Sequence, residues 1–408
     1  MTTTIDSQSP LRFGVIGLGR AGAGMLPALW THPCATVVAA ADLRLEARER
    51  FTQDCDARAY ESAAALCADP NVDAVYVATP HQYHAEHCIL AASHGKHIVV
   101  EKPLALTLED CDAILQAVER YGVKLIVGHT ASYNPVIRRM RQIIASGELG
   151  KLGLINISAY TPFLYRPRRP EELDTSRGGG IVFNQVPHQV DSARLLGGGL
   201  VQSVRAVTGA WDAARPTEGA YAALLQFADG AAATLVYSGY DHFDTTEFRI
   251  STTDEQSRPR GSHGETRQAL QAVRSPEDEV ELLYAMGYGG SRMRTARGGG
   301  DMFQPELGLT IVSCERGDMR LVSDGLIIYD DAGKRAVPLP RGRGTPGRGE
   351  VIDELYAAVA HERPLVHHGH RGRATLEVCL AMLQSARERR EITLSQQCPV
   401  HDEEVQPC

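Results

Sequence analysis

The stretch Phe13-Gly14-Val15-Ile16-Gly17-Leu18-Gly19-Arg20-Ala21-Gly22 carries a short apolar run through G-x-G-x-x-G and straight into a helical segment, Ala23-Gly24-Met25-Leu26. Between a strand and a helix each glycine has a task. Gly17 allows the tight turn, Gly19 lets backbone approach a pyrophosphate, and Gly22 permits close packing of helix on strand. Arg20 and Ala21 complete the loop as candidate phosphate contacts. Asp42 ends the next apolar run, Thr36-Val37-Val38-Ala39-Ala40-Ala41, 20 residues after Gly22. A carboxylate there accepts both ribose hydroxyls of NAD and repels a 2′-phosphate, so NAD is the expected cofactor. Arg44, two residues on, could pair with that phosphate, which leaves NADP open.

Working outward, β-branched runs alternate with helical stretches from Leu11 to Val127: Val72–Thr79, His97–Glu101 and Lys124–Gly128 follow the first two. That rhythm predicts βαβ units on a parallel sheet. Thr107 with Asp110, and Asn134 before Pro135, mark helix starts. After about Gly150 the texture changes to longer strands with hairpin turns, as in Ala220–Tyr240 around Asp229-Gly230, which predicts antiparallel sheet. The expected division is 10–131 for a Rossmann domain, 132–390 for an α+β domain and 391–408 for a loose tail. Residues 254–305, rich in Arg, Gly, Ser and Glu, read as an inserted surface segment. Two helices, Val351–Glu362 and Arg373–Arg390, are expected near the end.

The 408 residues suffice for two or three domains, and no apolar run approaches the ~20 residues of a membrane span. Lys plus Arg is 42 against 50 Asp plus Glu, a net charge of −8 that gives no field for recruiting nucleic acid. The short run Arg341-Gly342-Arg343-Gly344 does not change that reading. The start lacks a secretory pattern, so a cytoplasmic protein is expected. Nine scattered cysteines without CxxC spacing read as reduced thiols. The histidine groups His81, His84, His87 and His367, His368, His370 lack completing acidic or Cys ligands at close range, so no metal is expected.

Further blocks carry chemistry: Thr79-Pro80-His81 with His84, then Glu101-Lys102-Pro103, then Gly178-Gly179-Gly180 leading to Asn184, His188 and Asp191. Together with the glycine loop they resemble the glucose–fructose oxidoreductase, inositol dehydrogenase and rhizopine-catabolism (Gfo/Idh/MocA) family, from about Leu11 to Arg390 outside the insert. The resemblance implies a C-terminal domain built on a large open, mainly antiparallel sheet. It implies that Lys102 is the active-site lysine and His188 the catalytic histidine. Thr79, Pro80, His84, Glu101 and Lys102 join the glycine loop as cofactor contacts, and a homodimer or homotetramer is expected. One departure matters. The stretch Gly178–Asp191 looks like the family's GGGxLxDxGxHxxD, but Asn184 replaces its first Asp and Val186 its last Gly. An amide is no general base, so proton transfer falls on His188, with Asn184 expected one turn earlier on the same helix face. Asp191 either orients His188 or is an ordinary helix acid.

Within the family, Phe163–Val182 and Asn184–Gly199 look most like dehydrogenases of phthalate cis-4,5-dihydrodiol. The expected substrate is therefore an aromatic diacid dihydrodiol, oxidised to 4,5-dihydroxyphthalate. Tyr165, Arg166, Arg168 and Arg169 precede the catalytic segment, and guanidinium forks would hold two carboxylates. His129, ending the fifth of the strand-like runs, is a further candidate substrate contact at the carboxyl edge of the sheet. The alternatives are a sugar or inositol dehydrogenase of the same family, an NAD-dependent lyase or hydrolase, and a non-catalytic NAD-binding regulator.

Overall fold

The computed structural model describes residues 9–129, 131–248, 264–292, 308–339 and 347–400. Strands β1 (Leu11–Ile16), β2 (Ala35–Ala41), β3 (Arg58–Tyr60), β4 (Ala74–Val77), β5 (His97–Val100) and β6 (Leu125–Val127) form one parallel sheet in the order β3-β2-β1-β4-β5-β6. Every residue of β4 and β6 is buried, as expected for strands covered by helices on both faces. The order reverses between β1 and β4, and ligands bind at such a switch point, outside the carboxyl ends of the strands. Gly17 follows β1, Thr79 lies just after β4, Glu101-Lys102 follow β5, and His129 lies just after β6, so these sequence blocks emerge at one edge.

The second sheet contains β7 (Leu152–Tyr160), β8 (Val201–Gly209), β9 (Ala220–Phe227), β10 (Ala232–Ser238), β11 (Leu309–Cys314), β12 (Gly317–Val322), β13 (Gly325–Asp330), β14 (Gly333–Pro338) and β15 (Ile392–Thr393). Its order is β14-β13-β12-β11-β7-β10-β9-β8-β15, with β7 and β10 parallel and the other pairs antiparallel. The β9–β10 hairpin turns at Asp229-Gly230, where Gly230 takes φ 93°. Burial alternates along β9, and helices Val186–Leu196 and Gly369–Glu388 pack on its neighbours in the sheet, the first on β7 and β10 and the second on β8. The other face leaves Val207 and Leu224 exposed. Among the described residues no helix is long and apolar enough to cross a membrane.

Four features differ from the sequence reading. The helix Arg348–Ala360, inside the expected second domain, packs Val351, Ile352 and Leu355 among Leu11, Phe13 and Leu26 of the first. There His367 O accepts from Val127 N (3.1 Å), so the chain returns to the parallel sheet. The insert is partly helical, Glu265–Gln271 and Pro276–Ala285, and its Tyr288 is buried in a T-shaped arrangement with Trp30 and with Phe51. Residues 391–400 are not loose: the buried Arg194 guanidinium donates to Gln397 Oε1 (3.0 Å) and Cys398 O (3.1 Å). Cys34 is disulfide-bonded, whereas Cys55, Cys67, Cys88, Cys111, Cys314, Cys379 and Cys398 are free thiols. Arg341–Gly344 and residues 401–408 lie outside the described residues.

Candidate active site

The glycine loop is shaped by close approaches. Gly17 sits at φ 98°, and a Cβ there would lie 2.8 Å from Ala78 O. A Cβ on Gly22 would come within 2.0 Å of Gly17 O, so neither position tolerates a side chain. A Cβ on Gly19 would meet nothing within 4 Å, which leaves room in front of the loop. Gly19 is also the N-cap of helix Arg20–Thr31 and has no capping side chain, so the helix presents its positive end there. This cradle fits a pyrophosphate. At the end of β2, Asp42 Oδ2 accepts from Leu18 N (2.8 Å), and Arg44 lies on the Asp42 carboxylate rather than reaching toward a 2′-phosphate position.

Two expected cofactor contacts turn inward. His84 has no exposed surface; its Nδ1 meets Pro103 O (2.8 Å) and its Nε2 meets Thr79 O (3.0 Å). It braces the turns that carry Thr79 and Lys102 and cannot itself reach a ligand. Glu101 accepts from the buried Tyr76 hydroxyl, and its other oxygen from Lys102 N (3.3 Å). Thr79 Oγ1 pairs with His87 Nδ1 (3.0 Å), and Pro80 starts the turn His81–Tyr83. His81 Nδ1 meets Gly178 O (3.1 Å), which ties this edge to the second domain.

Asn184 and His188 do not share one helix. The first helix ends at Asn184 and the next begins at Val186. Pro187 has no N–H to give Phe183 O and its ring opposes that carbonyl, so the helix breaks. His188 N then bonds Gln185 O (3.2 Å) instead of the carbonyl four residues back. That carbonyl, Asn184 O, accepts from Lys102 Nζ (3.0 Å). The break thus supplies the acceptor that fixes the lysine. From Gly178 to Gly197 only Asn184 and His188 are not buried. Asn184 Nδ2 also donates to Gly180 O (2.8 Å).

Asp191 does not orient His188. Its two oxygens take Arg371 Nε (2.8 Å) and Nη2 (2.9 Å), with both side chains buried. Burial favours the protonated Asp191, but Arg371, with His129 and His367 nearby, outweighs it and holds the carboxyl far below its usual range. His129 is only 1% exposed and, among the described residues, neither ring nitrogen has a hydrogen-bond partner, so it lies behind the cleft surface rather than lining it. Burial pushes its pKa down to about 4, which keeps the ring neutral.

The arginine loop is largely neutralised from within. Arg168 lies 3.9 Å over the Phe163 ring, donates to Phe163 O (2.9 Å) and is 3.5 Å from Glu172. Burial, with Arg166 and Arg20 nearby, pushes its pKa down to about 10. Arg169 pairs with Glu172 (3.2 Å) and Glu171 (3.4 Å). These two forks are therefore not free for substrate carboxylates, contrary to the sequence reading. Arg166 sits half-buried on the Phe163 face, 5.7 Å from its centroid. Tyr165 is buried, donates to Asp212 Oδ2 (2.6 Å) and carries Arg267 over its ring at 4.2 Å. The sequence signal for compensation was present: Glu171 and Glu172 follow the arginines after Pro170, with Glu172 four residues from Arg168 and three from Arg169. Nothing local announced Arg371, 180 residues from Asp191.

Residues 11–129 match the family model described as an oxidoreductase family with an NAD-binding Rossmann fold, and residues 137–256 match the GFO/IDH/MocA C-terminal domain. The chain belongs to the Gfo/Idh/MocA family. It is 39% identical over 384 residues to the 1-carboxy-3-chloro-3,4-dihydroxycyclohexa-1,5-diene dehydrogenase of Comamonas testosteroni, covering 92% of this chain and 95% of that protein. A solved dehydrogenase from Bordetella bronchiseptica RB50 is 43% identical, with TM-score 0.86 over 94% of this chain and all of that one. The myo-inositol 2-dehydrogenase of Thermotoga maritima is 31% identical over 48% of this chain and 57% of its own. This family member is an NAD-dependent dehydrogenase.

Proposed function

We propose that the protein oxidises a secondary alcohol of an aromatic-carboxylate cis-dihydrodiol, with phthalate cis-4,5-dihydrodiol as substrate and 4,5-dihydroxyphthalate as product. The observation that supports this reading is the bond from Lys102 Nζ to the Asn184 carbonyl (3.0 Å), four residues before His188. The Comamonas relative, whose name describes a carboxylated cyclohexadiene diol, supports it.

NAD supplies the hydride acceptor. His188 takes the hydroxyl proton, and Lys102, fixed by the Asn184 carbonyl, donates to the oxygen as its negative charge develops. Asn184 offers an amide for a second hydroxyl, and Arg166 holds one carboxylate. The substrate carbon loses hydride and its oxygen loses a proton; the resulting ketone tautomerises to a catechol, and the aromaticity gained drives oxidation forward. The glycine cradle, Thr79 and Pro80 would hold the cofactor's phosphates and nicotinamide end. Mixing protein, NAD and a panel of carboxylated cis-dihydrodiols, uncarboxylated analogues and polyols tests this reading. One NADH and one catechol per carboxylated diol are expected. Turnover confined to polyols would make the protein a sugar or inositol dehydrogenase instead.

A further inference from the structure

The Asp42 carboxylate has no acceptor capacity left. Its Oδ1 takes Arg44 N (2.9 Å) and Arg44 Nε (3.0 Å), and its Oδ2 takes Leu18 N (2.8 Å) and Arg44 Nη2 (3.2 Å). An ionised carboxylate offers about four lone-pair sites, and all are used. Two of the four donors belong to the guanidinium fork, which occupies the carboxylate as a ribose diol would. A ribose can bind Asp42 only if the fork leaves.

The insert supplies a place for it to go. Arg44 already lies over the Tyr284 ring, 5.3 Å from the centroid, and Tyr284 closes the helix Pro276–Ala285. Beyond that helix, Tyr288 N donates to Leu18 O (3.2 Å), the carbonyl that also accepts from Arg44 Nη2 (3.0 Å). The Tyr288 hydroxyl is anchored on Asp54 (2.6 Å). Earlier in the same helix, Glu279 accepts from Arg168 N (2.7 Å) and Arg215 Nη1 (2.6 Å) of the second domain. The helix therefore straps the substrate-side loop to the ribose end of the cofactor cradle.

We propose that Arg44 and this strap form a latch on the adenosine-ribose site. In this latch Arg44 fills the ribose position on Asp42 while keeping its place over Tyr284; when the dinucleotide binds, the guanidinium leaves the carboxylate and is held closer on the Tyr284 face. Tyr284 is thereby a determinant of cofactor affinity that acts through Arg44. The proposal rests on Asp42 being the ribose acceptor. Apparent affinity falls by the fraction of molecules whose site is open, so a latch open about a tenth to a third of the time weakens binding about three- to tenfold.

Calorimetry with NAD, ADP-ribose and nicotinamide mononucleotide on variants of matched melting temperature tests the latch. Arg44→Ala should tighten NAD and ADP-ribose about three- to tenfold and leave the mononucleotide, which lacks the adenosine ribose, unchanged. Tyr284→Ala should weaken NAD about two- to fivefold when Arg44 is present and not at all in the Arg44→Ala background. Unchanged or weaker NAD binding in Arg44→Ala, or an equal effect of Tyr284→Ala in both backgrounds, overturns the latch. Asp42→Ala separates the two failures: undiminished NAD affinity there removes Asp42 from the ribose site, whereas a loss there without the Arg44 gain removes the latch alone.

Discussion

Replacing Asp191 by Asn would leave the Arg371 guanidinium buried without its counter-charge. Both side chains are almost wholly excluded from water, two hydrogen bonds of 2.8 and 2.9 Å join them, and Arg371 Nη1 has no partner among the described residues. The amide keeps the shape, but it can accept at one oxygen only and turns its N–H₂ toward another donor. Breaking a buried pair in this way costs about 3 to 5 kcal/mol. Replacing both partners by apolar residues, Asp191→Leu with Arg371→Met, removes the stranded charge and should recover most of the loss. Denaturant unfolding of wild type, single and double variants measures each term. The pH dependence has a defined sign. Folding lowers the Asp191 pKa, so its contribution is complete above the unfolded value of about 3.9 and is lost as pH falls below it. The gap between wild type and Asp191→Asn should stay level from about pH 5 to 8 and narrow only below about pH 4. An Asp191→Asn protein within about 1 kcal/mol of wild type, the scale of an exposed pair, would refute the reasoning.

Lys102→Ala and His188→Ala should each lower kcat about 10² to 10⁴-fold with NAD affinity changed by no more than a few-fold, read by steady-state kinetics and calorimetry. Asp42→Ala should weaken NAD and improve NADP, because the 2′-phosphate loses its repulsion and gains Arg44; a kcat/KM comparison of the two cofactors checks it. Arg166→Ala should lower kcat/KM on a carboxylated dihydrodiol about 10 to 150-fold and spare its uncarboxylated analogue, the loss expected of a charged hydrogen bond of roughly 1.5 to 3 kcal/mol. Arg168→Ala and Arg169→Ala, whose charges answer Glu171 and Glu172, should affect both substrates alike.

The parallel sheet was legible because each βαβ unit writes its own local signature: apolar run, glycine or capping residue, helix. The positions of Gly17, Gly22 and Asp42 follow from that signature alone. The neighbourhood of Lys102 was legible only in part. Pro187 was visible in the sequence, but that its helix break frees the Asn184 carbonyl for a lysine 82 residues away is a tertiary fact. Charge type was readable in the Arg166–Arg169 loop, whereas charge availability was only hinted at by the nearby acids, since it depends on how Glu171 and Glu172 fold back onto Arg168 and Arg169. The insert shows the same limit. A segment rich in Arg, Gly, Ser and Glu looked like surface, yet its Tyr284 and Tyr288 reach the ribose end of the cofactor cradle.

Deuterium placed on both carbinol carbons of phthalate cis-4,5-dihydrodiol tests the central claim most directly: one label is expected in NADH and the other is lost as the ketone tautomerises, and both are followed during a single turnover. The account predicts one deuterium on the nicotinamide ring for each 4,5-dihydroxyphthalate formed, and no transfer when Lys102→Ala and His188→Ala are combined. Catechol formed without label in NADH, or label transfer undiminished in the double variant, would contradict it.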